Sequence, residues 1–225
     1  MIVKAILVSD TLRTFEHIRL LKGNNDASIR EMFSKLKEYF SRRQPVRVTE
    51  TDRVISAVLV PIYSDNGEYH IIFTQRTNKV STHKGQISFP GGVRDKTDAS
   101  LADTALRECT EEVGLACEAV DILGQLDDCP TFVSHFIITP FVGAIPWPYE
   151  FTMNEMETSE IIDVPIQALL DETCRTDGSE IVDGVPMTAY FYTYKDKVIW
   201  GATARILYQF LNIWQEVAGY GLKSS

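Results

Sequence analysis

Apolar residues in this chain follow two different periods, and the change from one to the other divides it. Ile29, Met32, Phe33, Leu36 and Phe40 recur at helical spacing, and Ser28 with Glu31 makes a capping-box signature. This predicts an amphipathic helix that packs on the main body or on a second subunit. Ahead of it, residues 2–8 read as a strand or the start of a helix, and residues 22–26 as a loop. From Arg53 the period shortens. Residues 54–63 form a β-rich run, Asn66-Gly67 is a hairpin signal, and residues 69–76 are the return strand. A polar loop then leads to a short strand at residues 86–89, ended by Pro90-Gly91-Gly92.

A second helix is expected from residue 100 to 113, with Ser100 as N-cap and Gly114 just past its end. Strands follow at 120–126 and 136–142, and a short helix at 165–170 begins on a proline. Residues 187–194 and 198–200, joined by a turn at 195–197, read as a second hairpin. Residues 202–217 close the chain as a helix with Ile206, Leu207, Phe210, Leu211 and Trp214 inward. Strands and helices mix without a regular βαβ rhythm, which predicts an α+β sandwich, a mixed sheet between helices. The division expected is an N-terminal segment, 1–48, and a main domain, 49–225.

Composition narrows the function. The 225 residues are 44% hydrophobic, enough for a proper core, and carry a formal net charge of −9. That balance argues against broad nucleic-acid binding through a basic surface. It leaves polyphosphate substrates open, because metal ions can supply positive charge. Cys109, Cys117, Cys129 and Cys174 show no zinc-type pairing and read as idle thiols in a reducing compartment. With no signal-peptide pattern and no long apolar run, a cytoplasmic protein without membrane contact is expected.

The second helix holds an electrostatic oddity. Glu108, Glu111 and Glu112 crowd its C-terminal end. Like charges at this spacing repel by roughly 0.2–0.5 kcal/mol per pair. They also face the negative end of the helix dipole. A hard divalent cation would justify such a cluster; the plainer alternative is a solvated acidic face. Leu101, Ala105, Cys109 and Val113 form an apolar stripe. Glu108 and Glu112 lie on its border, with Glu111 and Thr104 beyond, and Arg107 is in reach of Asp103 or Glu111.

Arg107-Glu108-Cys109-Thr110-Glu111-Glu112-Val113-Gly114-Leu115 resembles the end of the Nudix box. Counted from Gly92, Asp98 takes the acidic position of that box in place of glutamate, and Arg107 arrives one residue late. Upstream, Phe73 to Arg76 and His83 to Gly92 resemble the additional signature of the coenzyme A pyrophosphatase branch. Asp95, Asp98 and the Trp200 to Ala204 stretch also match that branch. The resemblance covers about residues 50–215.

It implies a Nudix-like α/β/α sandwich that uses Mg²⁺ or Mn²⁺ to hydrolyse the diphosphate of coenzyme A or its derivatives, giving 3′,5′-ADP and 4′-phosphopantetheine. ADP-ribose, dinucleotides or nucleoside triphosphates are alternative substrates, and a non-catalytic Nudix-fold binding module is a third reading. By the resemblance Glu108 and Glu112 are core metal ligands, Glu111 completes the set, and the Gly91 carbonyl joins them. Arg107 orients a glutamate. Glu157 is a general base or further ligand, with Glu155 and Glu160 as rivals. Arg76, His83 and Gln86 meet the substrate, Arg76 being equally readable as a structural partner of the acidic box. The loop at 130–136 is either a pocket wall or core. The partner expected is a small nucleotide of coenzyme A type, and a homodimer is left open.

Overall fold

The computed structural model describes residues 27–49, 52–78, 84–132, 134–182 and 185–219. The readings at residues 2–8 and 22–26, and the candidate His83, lie outside these. Helix α1 (Ala27–Arg42) starts one residue before Ser28, so Ser28 stands inside the first turn and is not the cap. Strands β1 (Val54–Asp65) and β2 (Glu68–Arg76) form the expected hairpin. Asn66 and Gly67 adopt φ of 49° and 87°, the left-handed values a two-residue hairpin turn needs.

That hairpin opens at its far end. Ile62 pairs with Ile71, but further along β1 pairs with β4 (Gly91–Val93) and β2 with β3 (Ile87–Ser88). Residues 87–93 are thus inserted between the two strands. Phe89 stacks on Phe73 with ring centroids 4.8 Å apart, the Pro90 carbonyl accepts from Leu59 N–H at 2.9 Å, and Thr203 Oγ1 donates to the Ile87 carbonyl at 3.2 Å. Helix α2 (Leu101–Val113) follows directly.

Three strands lie on the other side of β1: β5 (Asp121–Gln125), β6 (Cys129–Pro130) and β7 (Phe136–Ala144). β7 runs parallel to β1, from Val54–Phe136 to Ile62–Ala144, whereas β5 and β6 are antiparallel to β7. β8 (Thr158–Pro165) runs antiparallel along the outer edge of β2 and completes an eight-stranded mixed sheet. A short helix α3 (Ile166–Leu169) leads to a second sheet of β9 (Arg175–Val182), β10 (Val185–Tyr194) and β11 (Lys197–Ile199), and helix α4 (Gly201–Ala218) closes the chain.

Strand alternation sorts the core into two layers. Val60, Ile62, Ile71 and Phe73 face α1 and α4, against Leu36, Phe40, Leu207 and Phe210. Ala57, Leu59, Tyr63 and Ile72 face α2, against Ala105, Cys109 and Val113. The architecture is the expected α+β sandwich. Strands β8 and β9 were not anticipated. Only Thr158, Ile162 and Val164 of β8 are buried, between exposed charges, and β9 is exposed from Arg175 to Ile181. Neither carries a hydrophobic period; pairing to β2 and β10 defines them. Of the two partners expected for α1, the main body is the one it contacts. Phe33 meets Tyr69 edge-on at 5.8 Å, and Phe40 fills the space over Gly124.

A Cβ on Gly124 would overlap the Phe40 side chain. Gly124→Ala is expected to destabilise the protein by about 1–3 kcal/mol through overpacking. In a Phe40→Ala background the same substitution should cost far less. Urea titrations of the single and double variants measure this, and equal costs in both backgrounds would show that α1 does not rest on β5 this way.

Candidate active site

Helix α2 is fixed at both ends. Ser100 Oγ accepts from the Asp103 N–H at 3.2 Å and donates to the Asp103 carboxylate at 2.9 Å; Gly114, at φ 70°, closes the C-terminus through its N–H to the Thr110 carbonyl. Asp103 is therefore engaged by the cap, and the Asp103–Arg107 pairing does not form. Arg107 forks onto Asp98 instead, Nε to Oδ1 at 2.9 Å and Nη2 to Oδ2 at 3.1 Å. Its Nη1 reaches Glu108 at 2.9 Å and Glu111 at 3.2 Å.

Asp98 is buried and also accepts from Thr104 Oγ1 at 2.9 Å and the Asp95 N–H at 2.8 Å. The Arg107 guanidinium holds its carboxyl well below the usual carboxylate range. Thr104, expected on the polar side of the helix, is fully buried because it faces this aspartate. The Asp98–Arg107 fork was missed at the sequence level, although the aspartate at the box's acidic position was its signal.

Two glycines bring β4 against the glutamates. Gly91 has φ 156°, and a Cβ there would overlap the Ala57 carbonyl and Val58; a Cβ on Gly92 would overlap the Glu108 carboxylate. Only a bare backbone permits this approach. Glu112, its side chain 5% exposed, accepts from the Gly91 N–H at 3.4 Å and lies 3.8 Å from Arg76 Nη1. Burial pushes its pKa up to about 7; Arg76 and the Gly91 amide pull the other way, and the charges of Glu108 and Glu157 add to the rise. Burial likewise raises Glu108, opposed by Arg107 and assisted by Glu111 and Glu157.

The fold thus brings together Gly91, Arg76, Arg107, Glu108 and Glu112, within electrostatic reach of Glu157. Glu111 is 58% exposed and joins them only through Arg107. Glu157 is exposed on the loop before β8, which is tied to α2 by Thr152 N–H to the Val113 carbonyl at 2.9 Å and Asn154 N–H to the Glu112 carbonyl at 3.0 Å. Of its rivals, Glu160 is held by Lys197 Nζ at 2.5 Å, and Glu155 lines a cleft of about 510 Å³ beside Arg76. Gln86 stands behind Arg76, its carbonyl accepting the Arg76 N–H at 3.0 Å. Phe132 is half-buried beneath the Arg205 guanidinium, 4.8 Å from its ring centre, so its loop is not core.

Glu108, Glu111 and Glu112 offer only oxygen donors, the chemistry a hard divalent cation takes. Among the described residues no three carboxylate, histidine or cysteine side chains are already drawn into one cage. Glu108 is turned to Arg107, and Glu112 to Gly91 and Arg76. Burial raises the pKa of Glu108 and Glu112, neighbouring carboxylates add to the rise, and a cation would offset both, so the donor set fits such an ion.

Residues 53–183 match the family model for the NUDIX domain. An uncharacterized Nudix hydrolase, NudL, of Photorhabdus laumondii is 34% identical over 165 residues, 73% of this chain and 87% of that protein. The NudL of Yersinia enterocolitica is 37% identical over 156 residues, 68% of this chain and 77% of that protein. In fold the chain is similar to a MutT/nudix family protein from Enterococcus faecalis. The TM-score is 0.51 at 13% identity, over 83% of this chain and 74% of that one. The chain belongs to the Nudix hydrolase family, enzymes of pyrophosphatase type acting on small nucleotide-like substrates.

Two outcomes are expected from this geometry. Gly92→Ala should keep the fold but displace Glu108, lowering turnover by about 100-fold, the scale of a misplaced catalytic group; steady-state rates beside an unchanged circular dichroism spectrum test it. The second concerns pH. The raised pKa of Glu112 means the folded protein takes up a proton that the unfolded chain does not between pH 7 and about 4.5. Without metal, its contribution to stability should rise by up to about 2–3 kcal/mol as pH falls through that window. Urea titrations in chelator should show this difference between wild type and Glu112→Gln; parallel pH curves would contradict it.

Proposed function

We propose that this Nudix hydrolase cleaves the diphosphate bond of coenzyme A or its derivatives, giving 3′,5′-ADP and 4′-phosphopantetheine or its acyl form. One observation carries the reading. The residues of the upstream signature and of the glutamate helix meet at one place, with Arg76 3.8 Å from Glu112 and the segment between them threaded through the open hairpin.

In this reading Glu108 and Glu112, with Glu111 and the Gly91 carbonyl, would hold Mg²⁺ or Mn²⁺, which would supply positive charge to the diphosphate and acidify a water. Water adds to one phosphorus, and the bridging oxygen leaves with the other phosphate. Glu157, exposed and facing the same carboxylates, takes the proton of that water. Arg107 spans Asp98 and Glu108 and fixes the glutamate without touching substrate. Arg76, with His83 and Gln86, receives the diphosphate. A guanidinium suits this role, and Arg76 Nε is buried with no hydrogen-bond partner among the described residues. Four unpaired cysteines accord with a reducing, cytoplasmic setting.

Purified protein with Mg²⁺ or Mn²⁺ is to be offered coenzyme A, ADP-ribose, dinucleotides and nucleoside triphosphates, with products identified by mass spectrometry. Release of 3′,5′-ADP from coenzyme A is expected, and Glu112→Gln should abolish it while leaving the fold intact. Turnover of another substrate with none of coenzyme A would overturn the assignment; tight binding without any turnover would favour a binding module.

A further inference from the structure

The 510 Å³ cleft beside Arg76 is lined by the end of β2 and residues after it, Gln75, Arg76, Thr77, Asn78 and Gly85, as a first wall, and by Met153 and Glu155 with the paired start of β8, Thr158 and Ser159, as a second. The loop of the second wall is tied to the end of α2 by Thr152 and Asn154, and the two walls meet where the Thr77 N–H bonds the Glu157 carbonyl at 2.9 Å. One end of the cleft is therefore Arg76, next to Glu112. At the other wall stands Met153, 38% exposed, with Met156, 64% exposed, three residues further on.

The lining says which half of a coenzyme-like substrate suits it. None of the described lining residues is Phe, Tyr or Trp, so these residues offer adenine no platform on which to stack. Gln75, Thr77 and Ser159 at its edge already donate to the Gly85, Met156 and Gln75 carbonyls, so the hydroxyl oxygens and the Asn78 amide are the groups an amide-bearing chain would meet. Methionines left exposed beside such a cleft are unusual for a plain surface loop, and their flexible thioethers adapt to variable apolar groups.

Resting on the coenzyme A reading, we infer that this cleft takes the pantetheine arm and not the adenine nucleotide. Met153, with Met156 beyond it, contacts the sulfur end and its acyl substituent. The methionines thereby set how far the enzyme prefers acyl derivatives over free coenzyme A, while the carboxylates and Arg76 treat the diphosphate of both alike.

Two measurements test this. The first is an oxidation footprint. Wild-type protein is treated with hydrogen peroxide alone, with S-methyl-4′-phosphopantetheine, whose blocked sulfur cannot consume peroxide as a thiol would, or with 3′,5′-ADP, and methionine sulfoxide is mapped by mass spectrometry. Slower oxidation of Met153 with S-methyl-4′-phosphopantetheine but not with 3′,5′-ADP is expected. Protection by the nucleotide half alone, or by neither, overturns the assignment. This readout needs no turnover, so it is decided separately from the proposed activity. The second compares kcat/KM for coenzyme A and hexanoyl-coenzyme A. Met153→Gln should lower the ratio of the hexanoyl-coenzyme A value to the coenzyme A value by roughly tenfold, the scale of a lost apolar contact. Equal loss on both substrates rejects the specificity role. Absence of any coenzyme A cleavage by wild type rejects the underlying function instead.

Discussion

The closeness of α2 to the backbone of β4 is the constraint on which the site depends. Glu108 lies where a Cβ of residue 92 would be, and β4 lies so near β1 that residue 91 has no room for a side chain either. A side chain at residue 92 would push the Glu108 carboxylate aside, and one at residue 91 would push β4 off β1. Glu112 would then lose the Gly91 amide, and Glu108 its place against the sheet. The glycines thus convert an unfavourable row of charges into a buried one. Burial raises the cost of ionisation, and the pKa of about 7 at Glu112 expresses that cost.

Such a row persists because other groups hold it. Arg107 lies between Asp98 and the two glutamates Glu108 and Glu111, so a helix that would repel itself is bridged by one planar cation. Asp98 anchors that cation from outside the helix, with Thr104 and the Asp95 amide satisfying its remaining lone pairs. Among the described residues the arrangement leaves Glu112 with only the more distant Arg76 as a cationic partner. The deepest carboxylate is therefore the least neutralised, which is the condition under which a divalent ion gains most by binding.

Where local patterning was strong, the sequence was readable. The apolar stripe of α2, its Ser100 cap and Gly114 stop, the Asn66-Gly67 hairpin and the closing helix all follow from side-chain period and turn chemistry. What was not readable depends on pairing between distant segments. Strand β9 has no buried face to announce it, and β8 interrupts its few buried residues with Glu160 and Asp163. The insertion of residues 87–93 into the β1–β2 hairpin was likewise invisible, because the proline and two glycines that allow it look like a simple break. At the site, the glutamates and arginines were visible as residue types. That Arg107 would choose Asp98 over Asp103 was not, because Asp103 is withdrawn by a cap whose hydrogen bond to Ser100 is a matter of geometry.

Chemistry and selectivity rest on different kinds of structure in this fold. The carboxylates stand on a regular helix, capped at both its ends and tied to β4 by Arg107, whose Nη2 donates to the Val93 carbonyl. The cleft beside them is built from the ends of β2 and β8 and the loop at 151–157, joined to the helix by the backbone bonds of Thr152 and Asn154 and by Phe151 in its apolar cluster. Substitutions in the loop can therefore alter what the cleft receives without moving Glu108 or Glu112. Substitutions at Gly91 or Gly92 cannot, since a side chain at 92 displaces the Glu108 carboxylate and one at 91 pushes β4 from β1. On the proposed reading, a charge cluster on a helix beside a replaceable wall would let one centre serve substrates that differ only at the far end of the chain attached to the phosphate.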